Sequence, residues 1–291
     1  MKKTLKAILA ISLVGVALVG CGNKTKEANT TSTTDSNDSA VIKKIKEKGK
    51  ITIGVFTDKP PFGYVDKDGK NAGFEIALSK RFAKDMLGDE SKIEFVPVEP
   101  ASRIPFLQSD KVDLIMANMT VTDERKNVVD FTNPIVKVAI QIMAPDNSNI
   151  KSIDDLKGKK VIITKGTTAD IFFTKKHPDI ELLKFESVTE SFQALKDGRG
   201  VAYVNDNLLL FDIAKKNPGY HVVDSQLEEP SPIAPAVKKG NTELLDWVNK
   251  ELETLGGEKF LGKLYDEYLK ESFGTNVKDP NSVIVEGGKW K

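Results

Sequence analysis

Short apolar runs without polar alternation recur along this chain, each joined to a segment of helical periodicity, and this succession restricts the fold more than any other feature. Residues 51–56, 93–97 and 113–117 read as strands, with helices at 41–47, 75–86 and 104–109. Leu114, Ile115, Met116 and Ala117 are all apolar, as expected of a strand covered on both faces. Units of this kind imply a parallel sheet with helices on both sides. The pattern then restarts: strands at 138–144, 160–163, 182–185 and 201–204, helices at 153–156, 169–176 and 188–196. Two α/β lobes are the economical account. The stretches 131–142, with Pro134, and 231–237, with Pro232 and Pro235, are the expected crossings between them. That gives 41–136 and 233–291 to lobe one and 137–232 to lobe two.

The start of the chain predicts its compartment. Lys2, Lys3 and Lys6 precede an apolar stretch at 7–19, too short and too sharply ended for a normal membrane span, and Leu18-Val19-Gly20-Cys21 follows. This resembles a lipoprotein signal at 1–20, cleaved before Cys21 with lipid attached to that thiol. The alternative is a cleaved secretory signal with an incidental cysteine. Cys21 is the only cysteine, which excludes disulfides within the chain and any thiolate zinc cluster. Residues 21–40 are rich in Thr, Ser, Asn and Asp and cannot bury enough surface to order themselves, so they read as a flexible tether. Without the three signal lysines the formal charge falls from +1 to −2. No basic stripe or aromatic-interleaved patch points to nucleic acid, and Lys43 to Lys50 is a solvated helix face. The predicted location is the extracytoplasmic face of a cell membrane, held by lipid.

Ligands of open α/β sheets sit outside the carboxyl ends of the strands, and four segments lie at such ends. After strand 113–117, Thr122 is a good cap for a helix beginning at Asp123, and Arg125 lies in its first turn. Free backbone N–H groups, the Thr120 hydroxyl and a guanidinium suit a carboxylate; Arg125 paired on the surface with Asp123 or Glu124 is the alternative. Gly166, Thr167 and Thr168 open a helix after strand 160–163 and form either a second anion-accepting corner or a plain cap, without the spacing of a phosphate loop. Asp206, after strand 201–204, is placed to take an ammonium group or to cap a helix. In the loop after the first strand, stiffened by Pro60 and Pro61, Phe62 either covers an aliphatic part of the ligand or joins the core. A cation with hydroxyls on one side and a carboxylate with hydroxyls on the other fit a zwitterionic amino acid.

Several motifs in order carry a wider likeness. These are Gly54-Val55-Phe56-Thr57-Asp58-Lys59-Pro60-Pro61-Phe62-Gly63-Tyr64, Gly73-Phe74-Glu75-Ile76-Ala77-Leu78, Val112-Asp113-Leu114-Ile115-Met116-Ala117-Asn118, Thr120-Val121-Thr122-Asp123-Glu124-Arg125 and Val129-Asp130-Phe131-Thr132-Asn133-Pro134. From about Val41 onward the chain resembles the family 3 extracellular solute-binding proteins of amino-acid ABC importers. Through the Asp58–Val65 stretch, Lys165-Gly166-Thr167-Thr168-Ala169-Asp170, Ile233-Ala234-Pro235-Ala236-Val237-Lys238-Lys239-Gly240 and Val283-Ile284-Val285-Glu286-Gly287-Gly288-Lys289 it resembles their cysteine-binding lipoproteins. The resemblance implies a type II periplasmic-binding-protein (Venus flytrap) α/β fold with two hinge strands. It assigns the ligand carboxylate to Arg125 with Thr120 and Thr168, and the ammonium to Asp206 and the backbone of Asn118. Asp58, Phe62 and Arg103 would face the ligand side chain; Arg103 either meets a side-chain carboxylate or forms a helix-surface salt bridge. Also implied are a monomer without cofactor or metal, closing on a free amino acid and delivering it to an ABC permease and its ATPase. Cysteine or cystine is the expected ligand, with glutamate, aspartate or glutamine as alternatives. An enzyme resembling cyclohexadienyl dehydratases, with Glu99 as general acid, is the reading from another class; His177 and His221 make no triad or metal spacing.

Overall fold

The computed structural model describes residues 40–288, which fall within one compact unit. The lipidation position Cys21, the signal and all of the tether except Ala40 lie outside the described residues; Ala40 itself opens a helix, Ala40–Lys48. The helix buries Ile42 and Ile45 and leaves its lysines outward.

Two five-stranded sheets organise the rest. In the first, Ile51–Val55 lies between Ile93–Pro97 and Leu114–Met116, all parallel. Ala236–Lys238 and Val129–Phe131 complete it, with Ala236–Lys238 antiparallel to both of its neighbours. The second repeats the plan: Lys160–Thr164 runs parallel between Glu181–Phe185 and Ala202–Asp206, followed by Ile140–Pro145 and Tyr220–Val222 in antiparallel pairing. The sheets are therefore mixed rather than wholly parallel. Strands that enter after a crossing arrive without an intervening helix and so run in the opposite sense.

Alternate residues of the central strands enter different cores. Leu114 and Met116 join Ile53, Phe74 and Phe82 on one face, while Ile115 and Ala117 join Leu107 and Val112 on the other. The same division separates Val161 and Ile163 from Ile162 in the second sheet. Double coverage is why these runs are apolar without alternation. Between the sheets, Val136–Val138 pairs antiparallel with Ser231–Ile233. The C-terminal segment lies against this crossing: Lys137 N donates to Val283 O at 2.7 Å and Val285 N to Ile135 O at 3.0 Å. Among the described residues no helix is long and apolar enough to cross a membrane.

One expectation for the loop after the first strand is corrected here. Phe62 is fully buried, edge-on to Phe74 and tilted against Phe273, with ring centroids 6.3 Å from each. It does not face the cleft. Sealing a phenyl ring among other aromatics removes all of its apolar surface from water, whereas a polar cleft would leave part of it wet. Phe62→Ala should therefore cost about 3–5 kcal/mol of stability in urea unfolding, and the folded fraction should keep its ligand affinity.

Candidate functional site

The carboxyl ends of the two parallel triplets face one another across a narrow cavity with little free space. Its first-lobe wall includes Phe56, Lys59, Arg103, Asn118, Thr120 and Arg125. Thr167, Thr168, Val188, Asn205 and Asp206 face them from the second lobe.

Arg125 is brought in by a local device. Thr122 caps the helix Asp123–Lys126, its hydroxyl accepting from Arg125 N at 3.2 Å. The guanidinium is 5 % exposed; Nη1 donates to Thr120 O at 2.6 Å and Nη2 to Gly166 O at 2.9 Å. Arg103, at the start of the helix Arg103–Gln108, is buried beside it. Its Nε donates to Pro100 O at 3.0 Å, Nη1 to Ala117 O and Asn118 O at 2.9 and 3.1 Å, and Nη2 to Gly166 O at 3.1 Å. Neither guanidinium has a carboxylate within ion-pair distance among the described residues. Burial holds both below the ordinary arginine range, Arg125 at about 10, and the Arg125 charge lowers Arg103 further. Two like charges held only by carbonyls leave a deficit of negative charge at the cavity.

The opposite pole is Asp206, at the end of the strand Ala202–Asp206 and 5 % exposed. Oδ2 accepts from Lys59 Nζ at 2.8 Å and from Asn118 Nδ2 at 2.7 Å, both across the cleft. Among the described residues Oδ1 accepts none, and it is not sealed in. Beneath it, Thr164 Oγ1 bridges Ser191 Oγ and Tyr203 OH at 2.7 and 2.8 Å, and Asn205 bonds Tyr203 and accepts from Asp206 N. This buried network fixes the strand end that carries the carboxylate.

Six of the sequence-derived positions, Arg125, Thr120, Thr168, Asp206, Arg103 and Asn118, line this cavity. The backbone of Asn118, expected to meet an ammonium, is otherwise engaged: its N donates to Glu75 Oε1 at 2.7 Å and its carbonyl accepts from Arg103. A left-handed φ of 45° turns its side chain, not its backbone, toward Asp206. Asp58 is corrected as well. It does not line the cavity; Oδ2 accepts from Thr189 N at 3.0 Å, where the start of the helix Val188–Lys196 offers unpaired N–H groups to an anion. Lys59, Phe56 and the Gly166 carbonyl are cleft groups that the sequence reading misses. The signal for Lys59 was its place beside Asp58 on a short ribbon, Asp58–Lys59 against Gly63–Val65, whose side chains alternate. Among the described residues no group of three His, Cys, Asp or Glu side chains could hold a metal.

Glu75 lies behind the site, 1 % exposed, and among the described residues its Oε2 has no hydrogen-bond partner. Burial raises it to about 7, against the Asn118 N–H bond and the Lys59 and Arg103 charges, which lower it. The folded protein therefore holds a proton that the unfolded chain releases nearer pH 4.5. Its stabilising contribution is complete below that value and is lost as pH rises through about 7. In Glu75→Gln, urea unfolding at pH 5 and pH 8 should show a flatter pH dependence, by up to about 3 kcal/mol.

Comparison with known proteins matches this geometry to a family. Residues 51–271 match the model of bacterial extracellular solute-binding proteins, family 3. A Bacillus subtilis protein named ABC transporter glutamine-binding protein is 34 % identical over 273 residues, 93 % of this chain and 98 % of its own. A solute receptor for L-cysteine from Neisseria gonorrhoeae superposes with a TM-score of 0.82 at 49 % identity, covering 84 % of this chain and 99 % of that one. A cysteine-binding protein from Campylobacter jejuni does so with a TM-score of 0.83 at 48 % identity and the same coverage. A two-lobed α/β scaffold, with a buried charge pole on each side of a small cleft, thus places this chain among the bacterial extracellular solute-binding proteins of family 3.

Proposed function

We propose that the protein captures a free polar amino acid, L-cysteine first, by closure of its lobes and delivers it to the permease of an ABC importer. The observation that carries this reading is the pair of buried guanidiniums that have no acidic partner among the described residues, facing a carboxylate whose Oδ1 accepts no hydrogen bond from them. An α-carboxylate supplies the charge missing at Arg125, beside the Thr120 and Thr168 hydroxyls. An α-ammonium completes Asp206. The first lobe holds the ligand through Arg125, and the second swings in with Thr168 and Asp206 about the paired crossing strands.

Several features favour a small neutral side chain. The cavity is small, and four of the five N–H groups of Arg103 already serve backbone carbonyls. A side-chain carboxylate would find no free fork there, which disfavours glutamate and aspartate. Phe56, Pro100 and Val188 offer apolar wall to a polarisable thiol. The likeness to two solved cysteine receptors at 48–49 % identity supports the same choice. Glutamine is the second reading, carried by the Bacillus subtilis relative.

Binding rather than catalysis also fits the titratable groups. Glu99 is raised to about 7, by burial and then by Asp58, yet it does not line the cavity. His177 packs on Phe172 and Phe173, and His221 bonds Asp146. We further propose a monomer, anchored by lipid on Cys21 at the outer face of the membrane, with residues 22–39 as its tether.

A thermal-shift screen of the twenty amino acids and cystine should give its largest stabilisation with L-cysteine; a larger shift with L-glutamine would transfer the assignment to the second reading. In calorimetry Arg125→Ala and Asp206→Asn should each weaken binding by about 2–5 kcal/mol while the protein stays folded, because each leaves one ligand charge unpaired in the cleft. Unchanged affinity in Arg125→Ala would refute the site.

A further inference from the structure

We propose that the Gly166 carbonyl couples carboxylate capture to lobe closure, as the second-lobe oxygen on which both cleft arginines finish their hydrogen bonding. The inference rests on the reading of the cleft as an amino-acid site and adds the contact by which closure strengthens it.

Each guanidinium is first set by its own lobe. Arg103 spends Nε and Nη1 on Pro100, Ala117 and Asn118, and Arg125 spends Nη1 on Thr120. In both, Nη2 is the group left to cross the cleft, and both Nη2 atoms donate to Gly166 O, at 3.1 and 2.9 Å. The carbonyl that receives them is held firmly. Gly166 N donates to Asp170 Oδ2 at 3.0 Å, Lys165 N to Phe185 O at 2.8 Å, and Thr167 Oγ1 to Thr164 O at 2.7 Å. Until the lobes meet, Nη2 of Arg125 has only water as partner and its plane is free to tilt. Once they meet, the plane is fixed by a carbonyl on either side of the cleft, and a carboxylate gains an oriented donor.

Glycine is required at this position for a reason separate from its own turn. A Cβ on Gly166 would lie 2.8 Å from Ala101 N and Cα and 3.0 Å from Pro100 C, backbone atoms of the opposite lobe that cannot swing aside. Gly158, at the other end of the same strand, has nearly the same φ, 70° against 73°, and nothing within 4 Å of its Cβ. Alanine at Gly158 therefore carries the backbone strain alone; at Gly166 it carries the strain and a wedge between the lobes.

The test compares Gly166→Ala, Gly158→Ala and the unaltered protein, with L-cysteine and L-glutamine as probes. Both variants should lose similar melting temperature. Gly158→Ala should bind within twofold of the unaltered protein, while Gly166→Ala binds at least thirtyfold more weakly, mainly through faster dissociation, and shows no compaction by small-angle scattering when ligand is added. Affinity and compaction in Gly166→Ala equal to those of Gly158→Ala would overturn the proposal. If the unaltered protein binds neither probe, the amino-acid reading fails separately. The ligand-free scattering curves then decide the coupling contact, a more extended Gly166→Ala supporting it and identical curves removing it. Should Gly166→Ala fail to fold, Arg103→Lys, which keeps the charge and loses the Nη2 donor, should reduce compaction; full compaction would count against the proposal.

Discussion

Two guanidiniums buried side by side, with backbone carbonyls as their only hydrogen-bond partners among the described residues, are the constraint on which the rest of this structure depends. Removing an ionic group from water costs several kcal/mol, and a second like charge nearby adds to it. A protein tolerates this only where dipoles are held in place and a counter-charge can arrive. Here the dipoles are Pro100, Ala117, Asn118, Thr120 and Gly166 carbonyls. The proposed counter-charge is the carboxylate of the captured solute. The same need explains why the donors sit at strand ends, where chain direction brings backbone polar groups to the cleft, and why one carbonyl comes from the opposite lobe.

Asp206 answers this arrangement at the other pole. By accepting from Lys59 and Asn118 of the first lobe at Oδ2, it is a contact between the lobes in its own right, and Oδ1 is the oxygen proposed to meet the solute. In the proposed reading, capture and closure share a carboxylate on one side and two arginines on the other. Asp58 adds a third cross-lobe contact by accepting from Thr189 N at the start of a second-lobe helix. Arg103, Arg125 and Asp206 therefore all hold hydrogen bonds across the cleft.

The legibility of these groups in the sequence varies with how local their causes are. Thr122 capping the helix that carries Arg125, and Thr167 capping the one that Thr168 opens, follow from neighbours within a few residues. The apolar run at 114–117 followed from double coverage of one strand. Phe62 and Lys59 could not be separated that way. Lys59 ends the first arm of a short ribbon and Phe62 lies in the turn that follows, so strand alternation does not relate them, and only the packing of Phe74 and Phe273 settles which side chain enters the aromatic core. The antiparallel members of each sheet were likewise hidden, because a crossing strand shows the same composition in either direction.

By itself, then, the sequence determined two α/β lobes with paired crossings, a capped helix start carrying Arg125 and an acidic strand end at Asp206, since strand periodicity and capping are properties of neighbouring residues. Only the tertiary structure decided that Gly166 serves both arginines, that Lys59 and Asn118 share one oxygen of Asp206, and that Phe62 belongs to the core. A backbone carbonyl looks the same at every position of a chain. Which one faces a buried cation is set when two distant segments are brought together.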